Sequence, residues 1–327
     1  MDREGFVAYL EERSASASQV DASLEIVRGF EALLHQGSTR SLETATRGDV
    51  EAFSRQMIAT STNTWDNYIA LLRYGKFIGN DDLYIATLEL IDGAEALETL
   101  HKKLGREVGE AVRDKVFDGI ALPPLGTPNR DKPRLTETVV RRLESTIDPA
   151  TCDRVLGSGL RHLEDGWYAS AKERYEEAGG IDAYLAQKAE AFLAELERHR
   201  EEGTLYFNQP IDDTVIDYVR NHPEIASGVR KGSIVYEAKI PHEAIAYLQT
   251  TDKAARAYHY CHCPWVKSSL RDGPSKISSR FCNCSAAFHK KPYEVIFGKP
   301  LHAEVLESVL AGDRWCRFAL HLPPDAL

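Results

Sequence analysis

Two short stretches concentrate the chemistry of this chain. "YHYCHCPWV" spans residues 258–266 and "FCNCSAAFH" spans residues 281–289, and together they hold four of the six cysteines. Zinc prefers four ligands in a tetrahedron, drawn from Cys thiolate and His nitrogen. Cys261, Cys263, Cys282 and Cys284 make such a set, with His259, His262 and Cys316 in reserve. Iron, an iron–sulfur cluster and copper also favour thiolate; zinc leads because it needs no further motif. Cys-x-Cys is a less usual zinc spacing than Cys-x-x-Cys, so a reactive or redox thiol and a plain packing role stay open. If "AYHYCHCP" is a regular strand, Cys261 and Cys263 share one face. Pro264 then ends it and leaves Cys263 beside a loop. Cys152 lies apart in sequence and reads as a buried core thiol.

Proton-moving groups stand close by. "PLHAEVLESVLAGDRWCRFALHLP" reads as a hairpin around Gly312-Asp313. On its first strand Leu301, Ala303, Val305, Glu307 and Val309 share a face, so Glu307 is a carboxylate among apolar residues. A buried carboxylate must be paired, hydrogen-bonded or protonated, which makes Glu307 a catalytic candidate. A β-bulge that turns it outward is the competing reading. On the return strand Cys316 alternates with Phe318, Leu320 and Leu322 and reads as core first, ligand second. His289, five residues after Cys284, and His262, between two of the cysteines, are the other candidates for moving a proton.

The elements that must position these residues are helical first and mixed later. "EGFVAYLEERSA", "SQVDASLEIVRGFEALLHQG", "TRGDVEAF" and "STNTWDNYIALLRYGKFIG" are amphipathic helices, the last with Trp65, Tyr68, Ile69 and Leu72 inward. "ALPPLGTPNRDKPRL", residues 121–135, carries four prolines and a glycine and marks a linker or long loop. Helices resume at "TETVVRRLESTI", "DPATCDRVLGSGL" and the long "GIDAYLAQKAEAFLAELERHREEG". Beyond Gly203, "TLYFNQ" and "GSIVYEAKIP" read as strands, "DDTVIDYVRNHPEI", "PHEAIAYLQT" and "SAAFHKKPYEVIFG" as helices. The expected class is α+β. Three regions follow: a helical domain over 1–105, a linker and helices over 106–203, and a cysteine-containing α+β domain over 204–327.

The 327 residues carry a net charge of −10, with 43% apolar and 28% charged residues, an ordinary globular composition. No apolar run is long enough to cross a bilayer, so no membrane partner is expected. The acidic, amphipathic start "MDREGFVAYLEERSAS" lacks a signal-peptide pattern. A cytoplasmic location, where thiols stay reduced, is expected. Residues 251–327 carry 11 Lys and Arg against 7 Asp and Glu, compatible with an anionic small ligand. Residues 1–100 carry 8 basic and 17 acidic residues, a poor balance for phosphate contacts, so nucleic acid is not the expected partner. The helices are better suited to homo-oligomerisation or to binding a protein.

Two family resemblances bear on function. "FVAYLEER", "SLETATRGDVEAFSRQMI" and "STNTWDNYIALLRYGKFI" resemble the SAM-like helical domain of phage-type integrases. The integrase catalytic set of an Arg, a His-x-x-Arg and a nucleophilic Tyr is not found downstream. Over about 200–327, "CHCPWV", "FCNC" and "AEVLESVLAGDRWCRFALHLP" resemble the L-2-amino-thiazoline-4-carboxylic acid hydrolase-like group and the 4-vinyl reductase ligand-binding domain. Shared with both is a closing Gly-Asp-x-x-Cys-x-Phe hairpin, here Gly312, Asp313, Cys316 and Phe318. The resemblance implies an α+β domain with an enclosed pocket for a small organic ligand. Vinyl-reductase-type domains can bind zinc through the hairpin cysteine and a second one upstream; here Ser308 holds that upstream position, and Cys263 and Cys284 would have to compensate. The hydrolase relatives open a cyclic amidine-like C–N bond. The expected function is therefore a metal-dependent hydrolase of a small heterocycle, possibly sulfur-containing, with Cys261, Cys263, Cys282 and Cys284 on the metal and Glu307, His262 or His289 moving protons. The alternatives are a non-catalytic small-ligand sensor and, third, a DNA-binding protein.

Overall fold

The structure, a computed structural model, describes residues 1–37 and 40–326. The chain divides into two compact units, Met1–Ala94 with Leu122–Lys132, and Glu95–Ala121 with Pro133–Leu327. The three-part division drawn from sequence placed its first break at 105/106. Here the first unit ends at Ala94 and takes in Leu122–Lys132, the middle of the proline-rich segment, while Pro133 opens a helix of the second unit.

The first unit is helical: α1 (Arg3–Glu11), α2 (Ala17–Gly37), α3 (Arg47–Ala59), α4 (Trp65–Ile78) and α5 (Asp81–Ile91). Each start is capped by the residue type that favours it. Asp2, Thr64 and Asn80 accept from the backbone three residues on, and Thr46 with Asp49 forms a capping box. One core joins Phe6, Leu24, Val27, Phe30, Phe53, Leu71 and Tyr74. Trp65 does not face it: as the first residue after its cap it stays 50% exposed, while Tyr68 is fully buried. The segment expected to be a linker is anchored. Ser54 Oγ donates to the Gly126 carbonyl at 2.7 Å and meets Tyr68 Oη at 2.6 Å, and Asn63 Nδ2 reaches the Leu125 carbonyl at 3.0 Å.

The second unit is α+β. Its helices are α6 (Ala96–Glu107), α7 (Glu110–Phe117), α8 (Pro133–Thr146), α9 (Pro149–Leu156), α10 (Ala169–Ala178), α11 (Ile181–Glu202), α12 (Asp213–Arg220), α13 (Pro223–Ala226), α14 (Ala244–Gln249), α15 (Lys253–Tyr260) and α16 (Asn283–Phe297). Strands β1 (Val229–Lys231), β2 (Ile234–Ala238), β3 (His302–Glu307) and β4 (Arg317–His321) form one antiparallel sheet in the order β1-β2-β4-β3. Gly232, at φ +60°, makes the two-residue turn from β1 to β2, a position that needs positive φ. Cross-strand register places Glu237, Phe318 and Val305 in one row and Val235, Leu320 and Ala303 in the next, all on one face. Helix α16 packs on that face, over β3 and β4. We call this the inner face.

Two expected strands are not strands. "TLYFNQ" makes a turn closed by an isolated bridge between Tyr206 and Gln209, with Phe207 at φ +55°. "RAYHY" belongs to α15, because Asp252 accepts from the Ala255 N–H and nucleates a helix through Tyr260. The helix stops at Cys261, so Cys261 and Cys263 lie on the irregular segment behind it. The shared-face argument for these two cysteines therefore does not apply.

Candidate functional site

Helical and strand periodicities meet under α16. Ser285, His289 and Tyr293 recur every four residues and line one side of the helix, while Glu237 and Lys239 lie two apart along β2 and its extension. The two rows pair. Lys239 Nζ donates to Ser285 Oγ at 3.1 Å, His289 Nδ1 is 2.7 Å from Glu237 Oε2, and Tyr293 Oη donates to Glu237 Oε1 at 2.8 Å. From α11, Lys188 Nζ reaches the same Oε1 at 2.7 Å and the Ser227 carbonyl at 3.1 Å.

Glu237 is 5% exposed. Burial would raise its pKa, but Lys188 and His289 outweigh that and hold the carboxyl at about 2, below its ordinary 4.5. An ionised carboxylate can only accept, so His289 carries its proton on Nδ1. Nε2 of the neutral ring is then a lone-pair acceptor, and it has no hydrogen-bond partner among the described residues. Burial, with the nearby Lys239 and Lys188 charges, lowers the His289 pKa against the pull of Glu237. The ring stacks on Phe318 at 4.4 Å and keeps 15% of its side chain exposed. A base, the carboxylate that fixes its tautomer and a route to solvent are together.

Lys239 stands beside this pair with no carboxylate partner among the described residues. Its charge acts on Cys261, Cys263, Cys284 and Cys316 as well as on His262 and His289. Cys282, in turn, feels Cys316, Cys261 and Cys263. The two Cys-x-Cys pairs therefore do gather, with Cys316 as a fifth member. Cys282 caps α16 and Cys284 lies in its first turn, where the helix dipole favours thiolate. Burial dominates all the same: it raises all five, and Cys263 is pushed up to about 11. Ser308 Oγ lies 3.1 Å from Cys282 Sγ and is close enough to Cys316 to act on its thiol. The residue standing where the resemblance implies a cysteine therefore touches one of the thiols and neighbours a second.

Zinc bonded to sulfur at about 2.3 Å sets ligand atoms roughly 3.8 Å apart. Among the described residues, no three of these sulfurs lie within 4.8 Å of one another. The donor type suits zinc or iron; the spacing is not that of a closed tetrahedral site.

The other expected residues lie elsewhere. Register slips between Val305 and Glu307, a bulge that pairs Glu307 with Arg317 and takes it off the inner face. Glu307 Oε2 accepts from Trp315 Nε1 at 2.9 Å there. His262 Nε2 donates to the Ile240 carbonyl at 2.7 Å, and its ring meets His242 edge-on at 5.0 Å. That places it against a second polar knot, which sequence reasoning missed. Glu243 accepts from Lys267 and His259, and Lys267 Nζ is 2.7 Å from His242 Nδ1. Burial acts against the Glu243 charge, yet contacts with His242, Lys267 and His259 hold its pKa far below the carboxylate range. Cys152 is fully buried, with its thiol pushed up by burial to about 12. A cleft of about 300 Å³ between the start of α8 and the 269–277 loop, lined by Arg134, Glu137, Asp272 and Lys276, contains none of these groups.

Glu237 and Lys239 also escaped the sequence reading, although "GSIVYEAKIP" carried the signal: Val235, Glu237 and Lys239 alternate onto one face of a strand. No family model matches the chain, and no curated protein or solved structure matches it either. No helix among the described residues is long and apolar enough to cross a membrane.

Proposed function

We propose that the α+β unit hydrolyses a C–N bond in a small anionic heterocycle, the substrate class implied by its hairpin resemblance to the thiazoline-carboxylate hydrolases. The observation that carries this reading is the Glu237–His289 pair beside an ammonium that has no carboxylate partner among the described residues. Lys239 would anchor a substrate carboxylate, and Nε2 of His289 would take a proton from the water that attacks the amidine carbon. The C–N bond then breaks with the proton returned to nitrogen. Lys188 and Tyr293 keep Glu237 ionised and in place. Zinc, or iron in its stead, would be held by Cys261, Cys263, Cys282 and Cys284 once the thiols turned inward and lost their protons; it would activate water only where a water took the place of one of the four thiolates.

The test is incubation of the full-length protein with 2-amino-thiazoline-4-carboxylate, with and without added zinc, reading by mass spectrometry the gain of one water. His289→Gln is expected to lower turnover by about 10²–10⁴-fold, and Lys239→Met to act mainly on KM. Full activity of His289→Gln, or neither binding nor turnover of cyclic amidine carboxylates, overturns the reading. Tight binding without turnover supports the second reading, a non-catalytic ligand sensor, which the outward Glu307 and the buried Cys316 favour.

A further inference from the structure

The opposite face of the closing hairpin carries a different donor set. His302 in β3 pairs across with His321 in β4, and Glu304 follows His302 by two residues, so strand alternation puts all three on the face away from α16. The two imidazole centroids are 4.9 Å apart. Glu304 Oε1 lies 3.5 Å from His302 Nε2 and 2.5 Å from His321 Nε2, and one donor atom from each residue falls within 4.8 Å of the others. Zinc bonded to nitrogen and oxygen at about 2.0–2.2 Å sets ligand atoms roughly 3.4 Å apart. Small rotations of three partly exposed side chains reach that spacing. Glu304 has no Lys or Arg partner among the described residues; its ion-pair partners are the two imidazoles. β3 is an edge strand, which leaves one side of the trio open.

We infer that His302, Glu304 and His321 bind a borderline divalent transition-metal ion, zinc or one of cobalt, nickel and copper, with the remaining coordination positions taken by water. Two imidazoles and one carboxylate select these ions over calcium and magnesium, which want oxygen ligands throughout. The site is independent of the thiols and of the proposed hydrolase, since it lies on the other face of the sheet.

Titration of the full-length protein with Co²⁺, followed by absorbance, tests it. One equivalent is expected to bind without the near-ultraviolet thiolate-to-cobalt charge-transfer band that cysteine ligation gives. His321→Ala and the shape-conserving Glu304→Gln are each expected to weaken that binding about tenfold or more, with circular dichroism unchanged. Wild-type affinity in both variants overturns the site. So does a protein in which all bound Co²⁺ shows the charge-transfer band and is lost in a Cys261→Ser/Cys282→Ser variant.

Discussion

Replacing Glu237 by glutamine removes one charge from the inner face and little volume, and its consequences can be worked from the geometry. In the native protein the carboxylate accepts from Lys188, Tyr293 and His289 at 2.7, 2.8 and 2.7 Å. Its folded pKa of about 2 lies below the ordinary 4.5. A carboxyl depressed in this way contributes stability above its unfolded pKa and loses it as pH falls toward the folded one. The difference corresponds to about 3 kcal/mol at neutral pH. Glutamine still accepts from Tyr293 and Lys188 through one oxygen, but its NH₂ confronts Nδ1–H of His289, so the imidazole must move its proton to Nε2. Breaking a fully buried pair costs about 3–5 kcal/mol. Lys188 keeps 34% of its side chain exposed, so water takes up part of its orphaned charge. The expected loss for Glu237→Gln is therefore about 2–3 kcal/mol at neutral pH. It should shrink as the pH falls from 4.5 toward about 3, because the wild type is then losing its own contribution. Urea unfolding of both proteins across this range measures it, and the ¹⁵N shifts of the His289 ring report the tautomer. Coincident curves at neutral pH, a gap unchanged in acid, or an Nδ1–H tautomer kept in the variant would refute the reasoning.

Three further outcomes follow from the same structure. Ser308→Cys places a third sulfur beside Cys282 and Cys316 and is expected to raise zinc content, measured by mass spectrometry of the purified protein; no gain over wild type contradicts the proposed proximity. With burial holding Cys152 at about 12 and Cys263 at about 11, a thiol-labelling reagent at neutral pH should reach these two far more slowly in native than in urea-unfolded protein, and equal rates would count against it. A Cβ at Gly126 would fall 1.7 Å from Tyr68 Oη, on a backbone at φ +85°, so Gly126→Ala should destabilise the helical unit by about 3 kcal/mol or more, whereas a change under about 0.5 kcal/mol would show that the segment can move aside.

Local rules made most of the helices legible. Asp148 ahead of "PATC", Thr46 ahead of "RGDV" and Gly203 after "REE" cap or stop helices just where side-chain chemistry says they should. The closing hairpin was readable from alternation and turn residues, and "SAAFHKKPYEVIFG" as a helix; Pro292, a residue expected to break or kink it, lies inside α16. The misreadings have separate local causes, and α15 shows one of them. In "AYHYCHCP" the aromatic and thiol side chains suit a strand, but the Asp252 cap, several residues upstream, commits the backbone to a helix through Tyr260.

Sequence by itself determined that the cysteines come in two pairs, that Glu307 is odd among its apolar neighbours, and that a thiol-rich α+β region follows a helical one. Only the tertiary structure decided what those residues meet. A bulge of one residue, invisible to alternation, moved Glu307 to the other side of the sheet. The partners of Glu237 come from α11 and α16, 49, 52 and 56 residues away, and the fifth thiol arrives from beyond the hairpin turn. Contacts at such separations depend on how a helix row lies over a strand row. Periodicity says which residues share a face; it does not say which faces meet.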